Sequence, residues 1–210
     1  GGLPKIFLEN MNFEKYVDMA INMPLLFLNK NGHYLKTEGK TFREFMQGKL
    51  LLENNESANI KDFENHLATI FTEARLKKYI EIRSLDTCEW DCHCSGPAFY
   101  TGLLYGNLDA ALEIINKWNI SDTLNAYIES PKKGFETMLA NKTLLEWSKI
   151  FLDLAKKGLE SRSIKNDSGN KESIFLKSIE IIVNKKSNKA MNTIDKFKKQ
   201  NNLEFLYEKA

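Results

Sequence analysis

The sequence contains little cysteine, and its three cysteines all fall between Cys88 and Cys94. Thiols confined to such a short stretch cannot form the network of disulfides that stabilises small secreted proteins. A chain of this kind suits the reducing interior of a cell. We therefore expect a cytoplasmic protein.

Long apolar runs and a large excess of one charge are also missing. No stretch of about 18 apolar residues exists, so we expect neither a transmembrane helix nor a membrane partner. The net charge of +2 gives no general case for a nucleic-acid partner. The N-terminus has no signal-peptide pattern and no Met, so we expect either a processed chain or one that begins inside a longer protein.

Lysines gather only in the last third of the chain, at Lys185, Lys186, Lys189, Lys196, Lys198 and Lys199. A basic run of this kind can contact nucleic acid. Here the lysines have acidic neighbours and few aromatic residues lie among them, so a solvated helix face is the better interpretation.

The remaining composition is typical of a soluble globular protein, with 42% apolar and 28% charged residues. Turn residues predict a β-hairpin around Asn31 and Gly32, and alternation predicts a strand over residues 77–85. Apolar periodicity predicts helices over residues 12–22, 41–48, 61–71, 98–105, 108–118, 122–129, 143–162, 171–184 and 190–205. No strand is expected from Pro97 onward. The fold class is therefore α+β, with few strands in front and mainly helices behind.

The predicted strand carries charge on one face. Alternation places Tyr79, Glu81 and Arg83 on the same side, and Ile80 and Ile82 on the other. A glutamate beside an arginine suits a site that handles magnesium and phosphate. An exposed cross-strand ion pair is the alternative.

Other polar residues near this strand have two interpretations each. His66 either lines a site or is held by local hydrogen bonds. Arg75 and Lys77 either contact phosphate or form a solvated face. Thr69 and Asp86 either support the site or have structural roles.

The cluster from Cys88 to Cys94, which includes His93, has residue types that ligate zinc. A structural zinc site normally pairs two such groups across a longer loop, and the sequence has no second group. We therefore do not predict a metal centre in this segment.

Several segments occur in a recognisable order, namely residues 41–45 (TFREF), 66–71 (HLATIF), 73–83 (EARLKKYIEIR), 97–105 (PAFYTGLLY) and 154–159 (LAKKGL). Together they resemble the glutamate–cysteine ligases (γ-glutamylcysteine synthetases) of plants and proteobacteria. Agreement of several ordered motifs is far more specific than one short pattern.

This resemblance implies a partial glutamine-synthetase-like antiparallel sheet with few strands, followed by a mainly α-helical C-terminal portion. Residues 1–105 would form the C-terminal part of the catalytic domain, and residues 106–210 a helical region. Members of this family are considerably longer. We therefore expect the missing N-terminal half of the enzyme as a partner, and an inactive chain on its own.

The resemblance also implies a reaction, in which ATP drives ligation of the L-glutamate γ-carboxylate to L-cysteine through γ-glutamyl phosphate. This is the first step of glutathione biosynthesis. Glu81 would ligate Mg²⁺, Arg83 would be catalytic and contact the phosphoryl group of ATP, and Arg75 would help to bind ATP. Two alternatives stay open: a related ligase with another acceptor, and a non-catalytic helical interaction module.

Overall fold

A computed structural model describes residues 11–50, 57–86, 88 and 90–207. The chain forms two compact units, Gly1–Asp86 and Thr87–Ala210. Helices predominate in the described part, alongside two-stranded antiparallel sheets, which confirms the predicted α+β class. Within these ranges no helix combines the length and apolar character that crossing a bilayer requires. The expected catalytic-domain boundary at residue 105 stays a prediction, because compactness alone does not define a catalytic domain.

The first unit alternates short helices with two hairpins. Its elements are α1 (Phe13–Ile21), β1 (Leu28–Lys30), β2 (His33–Leu35), α2 (Phe42–Met46), α3 (Ile60–Ala68), β3 (Ala74–Leu76) and β4 (Ile80–Ile82).

Local side-chain chemistry sets where these helices begin. Thr41 and Glu44 form a reciprocal capping box at the start of α2. Asn59 and Asp62 do the same at the start of α3. Each box satisfies backbone N–H groups that the first helical turn leaves without partners. The predicted helices over residues 41–48 and 61–71 are thus confirmed, with slightly earlier ends.

The β1–β2 hairpin turns at Asn31 and Gly32, which have φ values of 52° and 85°. Two successive left-handed residues match the twist of a two-residue hairpin, and Asn and Gly tolerate them best. The hairpin supplies Leu28 to the core of this unit, where it packs with Leu25, Phe42 and Phe45.

The second hairpin corrects the predicted strand over residues 77–85. The strand β4 covers only Ile80–Ile82, because residues 77–79 form the turn that follows β3. The Lys77 N–H donates to the Tyr79 carbonyl at 2.9 Å and closes this turn. Ile80, expected on a covered apolar face, is 70% exposed within the described residues.

The second unit is built on helices. These are α4 (Ser95–Thr101), a π-helical segment (Gly102–Gly106), α5 (Leu108–Ile115), α6 (Ile120–Lys133), α7 (Leu144–Arg162), α8 (Lys177–Lys185) and α9 (Lys189–Gln200). Short 3₁₀ turns lie at Trp90–Cys92, Gly134–Glu136, Glu172–Leu176 and Glu204–Leu206.

Two expectations for this unit are wrong. A small hairpin, β5 (Met138–Leu139) with β6 (Lys142–Thr143), lies where no strand was expected. Two residues per strand are too few for alternation to reveal, although Ala140 and Asn141 make a left-handed turn. The helix over residues 171–184 is divided, since Glu172–Leu176 is a 3₁₀ turn before α8.

The helix α7 forms the centre of this unit and contacts the π-helical segment backbone to backbone. A Cβ atom added to Gly102 would lie 2.1 Å from the Ala155 carbonyl oxygen. One added to Gly158 would lie 2.0 Å from the Gly102 carbonyl oxygen. A Cβ atom added to Gly106 would also lie too close to the Gly158 backbone, 2.4 Å from its carbonyl oxygen. Any side chain here would therefore force the two segments apart.

Candidate active site

The β3–β4 hairpin gathers the charged residues singled out above. Antiparallel pairing sets Arg75 directly opposite Glu81. Arg75 donates to Glu81 Oε2 through Nη2 at 2.7 Å and Nε at 3.1 Å. Arg83 Nη1 donates to the other oxygen, Oε1, at 2.7 Å. Each carboxylate oxygen of Glu81 thus contacts a different guanidinium.

Arg75 is the buried member of this cluster, with 8% of its surface exposed. Its remaining terminal nitrogen, Nη1, donates to the carbonyl of Ala68, the last residue of α3. A helix leaves its final carbonyls without intrahelical partners, so a cation at this end is favourable. Arg75 therefore connects Glu81 to the end of α3.

Arg83 is the outer member, with 31% of its side chain exposed. Its guanidinium lies over the Phe71 ring, 5.3 Å from the centroid. Its contact with Glu81 confirms the predicted placement of both residues on one face. The Arg83 N–H donates to the Glu73 carbonyl at 2.8 Å, which continues the hairpin past β4.

The two arginines keep Glu81 ionised. Hydrogen bonds from Arg75, and then from Arg83, lower the pKa of the Glu81 carboxyl below its ordinary value, while partial loss of water opposes them. Two guanidinium groups around one carboxylate leave the cluster with net positive charge. Such a cluster can hold a phosphate oxygen and still offer a carboxylate.

Glu81 is chemically suited to Mg²⁺, which commonly takes one or two protein carboxylates together with substrate phosphates and water. Its side chain is 28% exposed. Within the part of the chain that the structure describes, no three acidic, histidine or cysteine side chains form a metal site. Further ligands for Mg²⁺ would therefore be phosphate, water or groups outside the described residues.

The remaining candidates have structural surroundings. Thr69 Oγ1 donates to the His66 carbonyl at 2.8 Å and closes the end of α3. Lys77 is exposed in the hairpin turn, and Asp86 is exposed after it. Their phosphate or supporting roles stay predictions.

His66 is buried and connects α3 to α1. Its Nε2 lies 2.8 Å from the Ala20 carbonyl oxygen, and its ring stacks on Phe42 with centroids 5.2 Å apart. A carbonyl can only accept, so Nε2 donates and Nδ1 carries the lone pair. Among the residues that the structure describes, His66 Nδ1 has no hydrogen-bond partner. Burial lowers the pKa of His66 below its ordinary value, since a charged ring would place an unpaired N–H in the core.

Acid should therefore weaken the first unit. A lowered folded pKa means that the unfolded chain binds the proton more readily, so the stabilising contribution is present above pH 6.5 and is lost as pH falls below it. The change is at most about 1.4 kcal/mol per pH unit. Urea unfolding followed by circular dichroism between pH 7.5 and 5.5 measures it.

A matched pair of variants isolates this effect. His66→Gln should flatten the pH dependence while lowering stability at every pH, because the stacking on Phe42 is lost. His33→Gln, at an exposed position on β2, should leave the dependence as in the wild type. If the stability of His66→Gln kept the pH dependence of the wild type, that dependence would arise from other groups.

Two features of the first unit were not predicted from the sequence. Tyr16, on α1, accepts a hydrogen bond at its hydroxyl from the Leu76 N–H at 3.0 Å. It thereby fixes β3 against α1. A cavity of about 510 Å³ beside this contact is lined mainly by apolar groups, including Phe13 and Ile80, and so does not suit phosphate.

The cysteine segment holds a disulfide between Cys88 and Cys92, and Cys94 is an exposed free thiol. The spacing of the three cysteines did not predict this pairing. Glu89 lies outside the described residues. Trp90 stacks on His93 with centroids 5.9 Å apart.

Comparison with known proteins tests the resemblance of the whole chain. The family model described as Glutamate-cysteine ligase family 2 (GCS2) matches residues 1–209. The chain belongs to this family. Glutamate–cysteine ligases from tomato (Solanum lycopersicum) and Brassica juncea are 37% and 38% identical to this family member over 185 residues. A glutamate–cysteine ligase A from Oryza sativa subsp. indica is 35% identical over the same length.

This chain is shorter than these relatives. The matched 185 residues are 87% of this chain but only 34% of the tomato enzyme and 36% of the rice enzyme. The chain thus spans about a third of the length of the curated relatives it matches.

The relatives contradict the expected cytoplasmic location. Each is named as a chloroplastic enzyme, and none as a cytoplasmic one. The cytoplasmic prediction is wrong because a low cysteine content does not identify a particular compartment.

Proposed function

We propose that this chain forms part of an ATP-dependent glutamate–cysteine ligase, which joins the γ-carboxylate of L-glutamate to the amine of L-cysteine. The observation that supports it most is the Arg75–Glu81–Arg83 cluster, carried by the hairpin inside the family motif of residues 73–83. An acid that stays ionised between two fixed cations suits phosphoryl transfer from ATP to a carboxylate.

Arg83 is the proposed catalytic residue. Formation of γ-glutamyl phosphate and its attack by an amine both shift negative charge among phosphate oxygens, and enzymes accelerate such steps by positioning and by fixed positive charge. A guanidinium stays charged throughout and can hold two phosphate oxygens at once. Arg83 suits this because it is partly exposed and its side chain is held on Phe71.

Glu81 is the proposed Mg²⁺ ligand. When bound, Mg²⁺ would neutralise phosphate charge and bridge ATP to the protein. Glu81 is ionised at neutral pH, as a hard oxygen donor requires, and its arginine partners lower its pKa further. Arg75 can contribute a positive charge near ATP, although it is buried.

The proposed partners are ATP, L-glutamate, L-cysteine and the rest of the enzyme. The described residues present one candidate metal-binding carboxylate at the cluster, and ATP-dependent ligases need more contacts than this to hold Mg²⁺ and nucleotide. We therefore propose that the 210 residues are inactive alone.

An ADP-release assay tests the proposal. The full-length enzyme should release ADP only when glutamate, cysteine and Mg²⁺ are all present, whereas the 210-residue chain alone should release none. Turnover with another amine but not with cysteine would show that the acceptor is that amine and not cysteine. Absence of turnover with every amine tested would leave the non-catalytic interaction module as the function.

A further inference from the structure

We propose that Arg75 is a positioning residue that fixes the Glu81 carboxylate, and not a ligand of ATP. This inference rests on the proposed function, since it concerns the site where Glu81 would hold Mg²⁺. Arg75 and Glu81 face each other across the hairpin, and the register of β3 and β4 sets their pairing.

The contacts of Arg75 leave little of its guanidinium for a nucleotide. Nε and Nη2 both donate to Glu81 Oε2, and Nη1 donates to the Ala68 carbonyl. Its side chain is 9% exposed. An ATP phosphate would have to break this arrangement and reach a buried group, so the geometry favours contact with the protein alone.

Glu81 is held unequally on its two sides. Oε2 accepts two hydrogen bonds from the buried Arg75, whereas Oε1 accepts one from the partly exposed Arg83. A contact made by a single, more exposed donor is easier to exchange than a buried two-nitrogen contact. Arg75 thus fixes the plane of the carboxylate and leaves Oε1 as the oxygen that can change partners.

The anchor at Ala68 makes this fixation rigid. Because Nη1 contacts the end of α3, the orientation of Glu81 is tied to a helix and not only to a short hairpin. Groups that orient a metal-binding carboxylate typically change metal affinity by about 10- to 100-fold when they are replaced.

The variant Arg75→Lys in the full-length enzyme tests this role. Lysine keeps the positive charge but cannot make the two-nitrogen contact together with the Ala68 contact. The Mg²⁺ concentration at half-maximal activity should rise about 10-fold or more, with the KM for ATP at saturating Mg²⁺ nearly unchanged. The dissociation constant of Mn²⁺, measured by electron paramagnetic resonance without turnover, should rise in parallel.

A matched control and a second pair of variants decide the outcome. Arg43→Lys alters another arginine of the first unit that donates to two side chains, those of Asp18 and Asn22, and should leave both metal readouts unchanged. Because Arg75 would act through Glu81, the double variant Arg75→Lys/Glu81→Gln should bind Mn²⁺ no more weakly than Glu81→Gln alone.

Two results would overturn the inference. One is a raised KM for ATP in Arg75→Lys with unchanged Mn²⁺ binding, which would make Arg75 a nucleotide contact. The other is a Mn²⁺ affinity in the double variant Arg75→Lys/Glu81→Gln that is lower than in Glu81→Gln, as it would be if the two losses added. If Arg75→Lys fails to fold, Arg75→Gln replaces it, and its Mn²⁺ binding and KM for ATP are compared with those of Glu81→Gln. If the wild-type enzyme had no ligase activity, the proposed function would be refuted. The positioning role of Arg75 would still be supported in that case if Arg75→Lys weakened Mn²⁺ binding.

Discussion

Replacing Gly158 with leucine should prevent the second unit from folding. A Cβ at this position would lie 2.0 Å from the Gly102 carbonyl oxygen, and the next nearest atoms are also backbone. Backbone atoms cannot rotate away as a flexible side chain can, so α7 and the π-helical segment would have to separate. That separation would open the core around Leu152, Ala155 and Leu159.

The milder variant Gly158→Ala sets two opposing effects against each other, the helix preference for alanine and the overlap of its Cβ with backbone atoms. Alanine in a helix interior normally stabilises by about 0.5–1 kcal/mol relative to glycine. Overpacking typically costs about 1–3 kcal/mol, and a 2.0 Å contact is far below any normal separation. We therefore expect Gly158→Ala to lower the free energy of unfolding by about 2 kcal/mol or more.

Tryptophan fluorescence during urea unfolding measures these losses, because all three tryptophans, Trp90, Trp118 and Trp147, belong to the second unit. Lys157→Leu is the matched control. It places the same side chain one residue away, where Lys157 is 64% exposed and makes an ion pair with Asp153. It should change stability by less than about 0.5 kcal/mol. Equal losses in the two variants would refute a backbone contact at Gly158.

Local determinants made the capped ends and the first hairpin predictable. The Thr41–Glu44 box and the Asn31–Gly32 turn each depend on residues within four positions of one another. The close contact between Gly102 and Gly158 joins residues far apart in sequence, and no local pattern marks it. The extent of β4 was overestimated for a related reason. Alternation over residues 77–85 does not show that the preceding residues turn back to pair with it.

The candidate site was predictable only in part. Alternation along one strand placed Glu81 and Arg83 on one face, and their contact confirms it. The position of Arg75 opposite Glu81 depends on the register of a hairpin whose turn the sequence pattern did not locate. The anchor at Ala68 is a backbone carbonyl, which any residue could supply, so residue type carries no signal for it.

Loss of the Arg83 side chain should remove most of the ligase activity and little of the stability. In the full-length enzyme, Arg83→Ala should lower kcat about 10³-fold, the range observed when a cation that stabilises a transferred phosphoryl group is removed. The KM for glutamate should change little, because the proposed contact is with phosphate. Arg83→Lys should recover only part of the rate, since an ammonium keeps the charge but not the two-nitrogen contact.

The stability of Arg83→Ala should stay near that of the wild type, because the lost ion pair is partly exposed and such pairs contribute about 0–1 kcal/mol. Arg162→Ala is the matched control. Arg162 also donates to a glutamate, Glu172, at 3.0 Å and lies over an aromatic ring, that of Tyr105, at 5.9 Å. It shares every contact type of Arg83 except the proposed one with phosphate, so its kcat should be unchanged. If Arg83→Ala kept the wild-type kcat, or if both variants lost it equally, Arg83 would have no specific part in phosphoryl transfer.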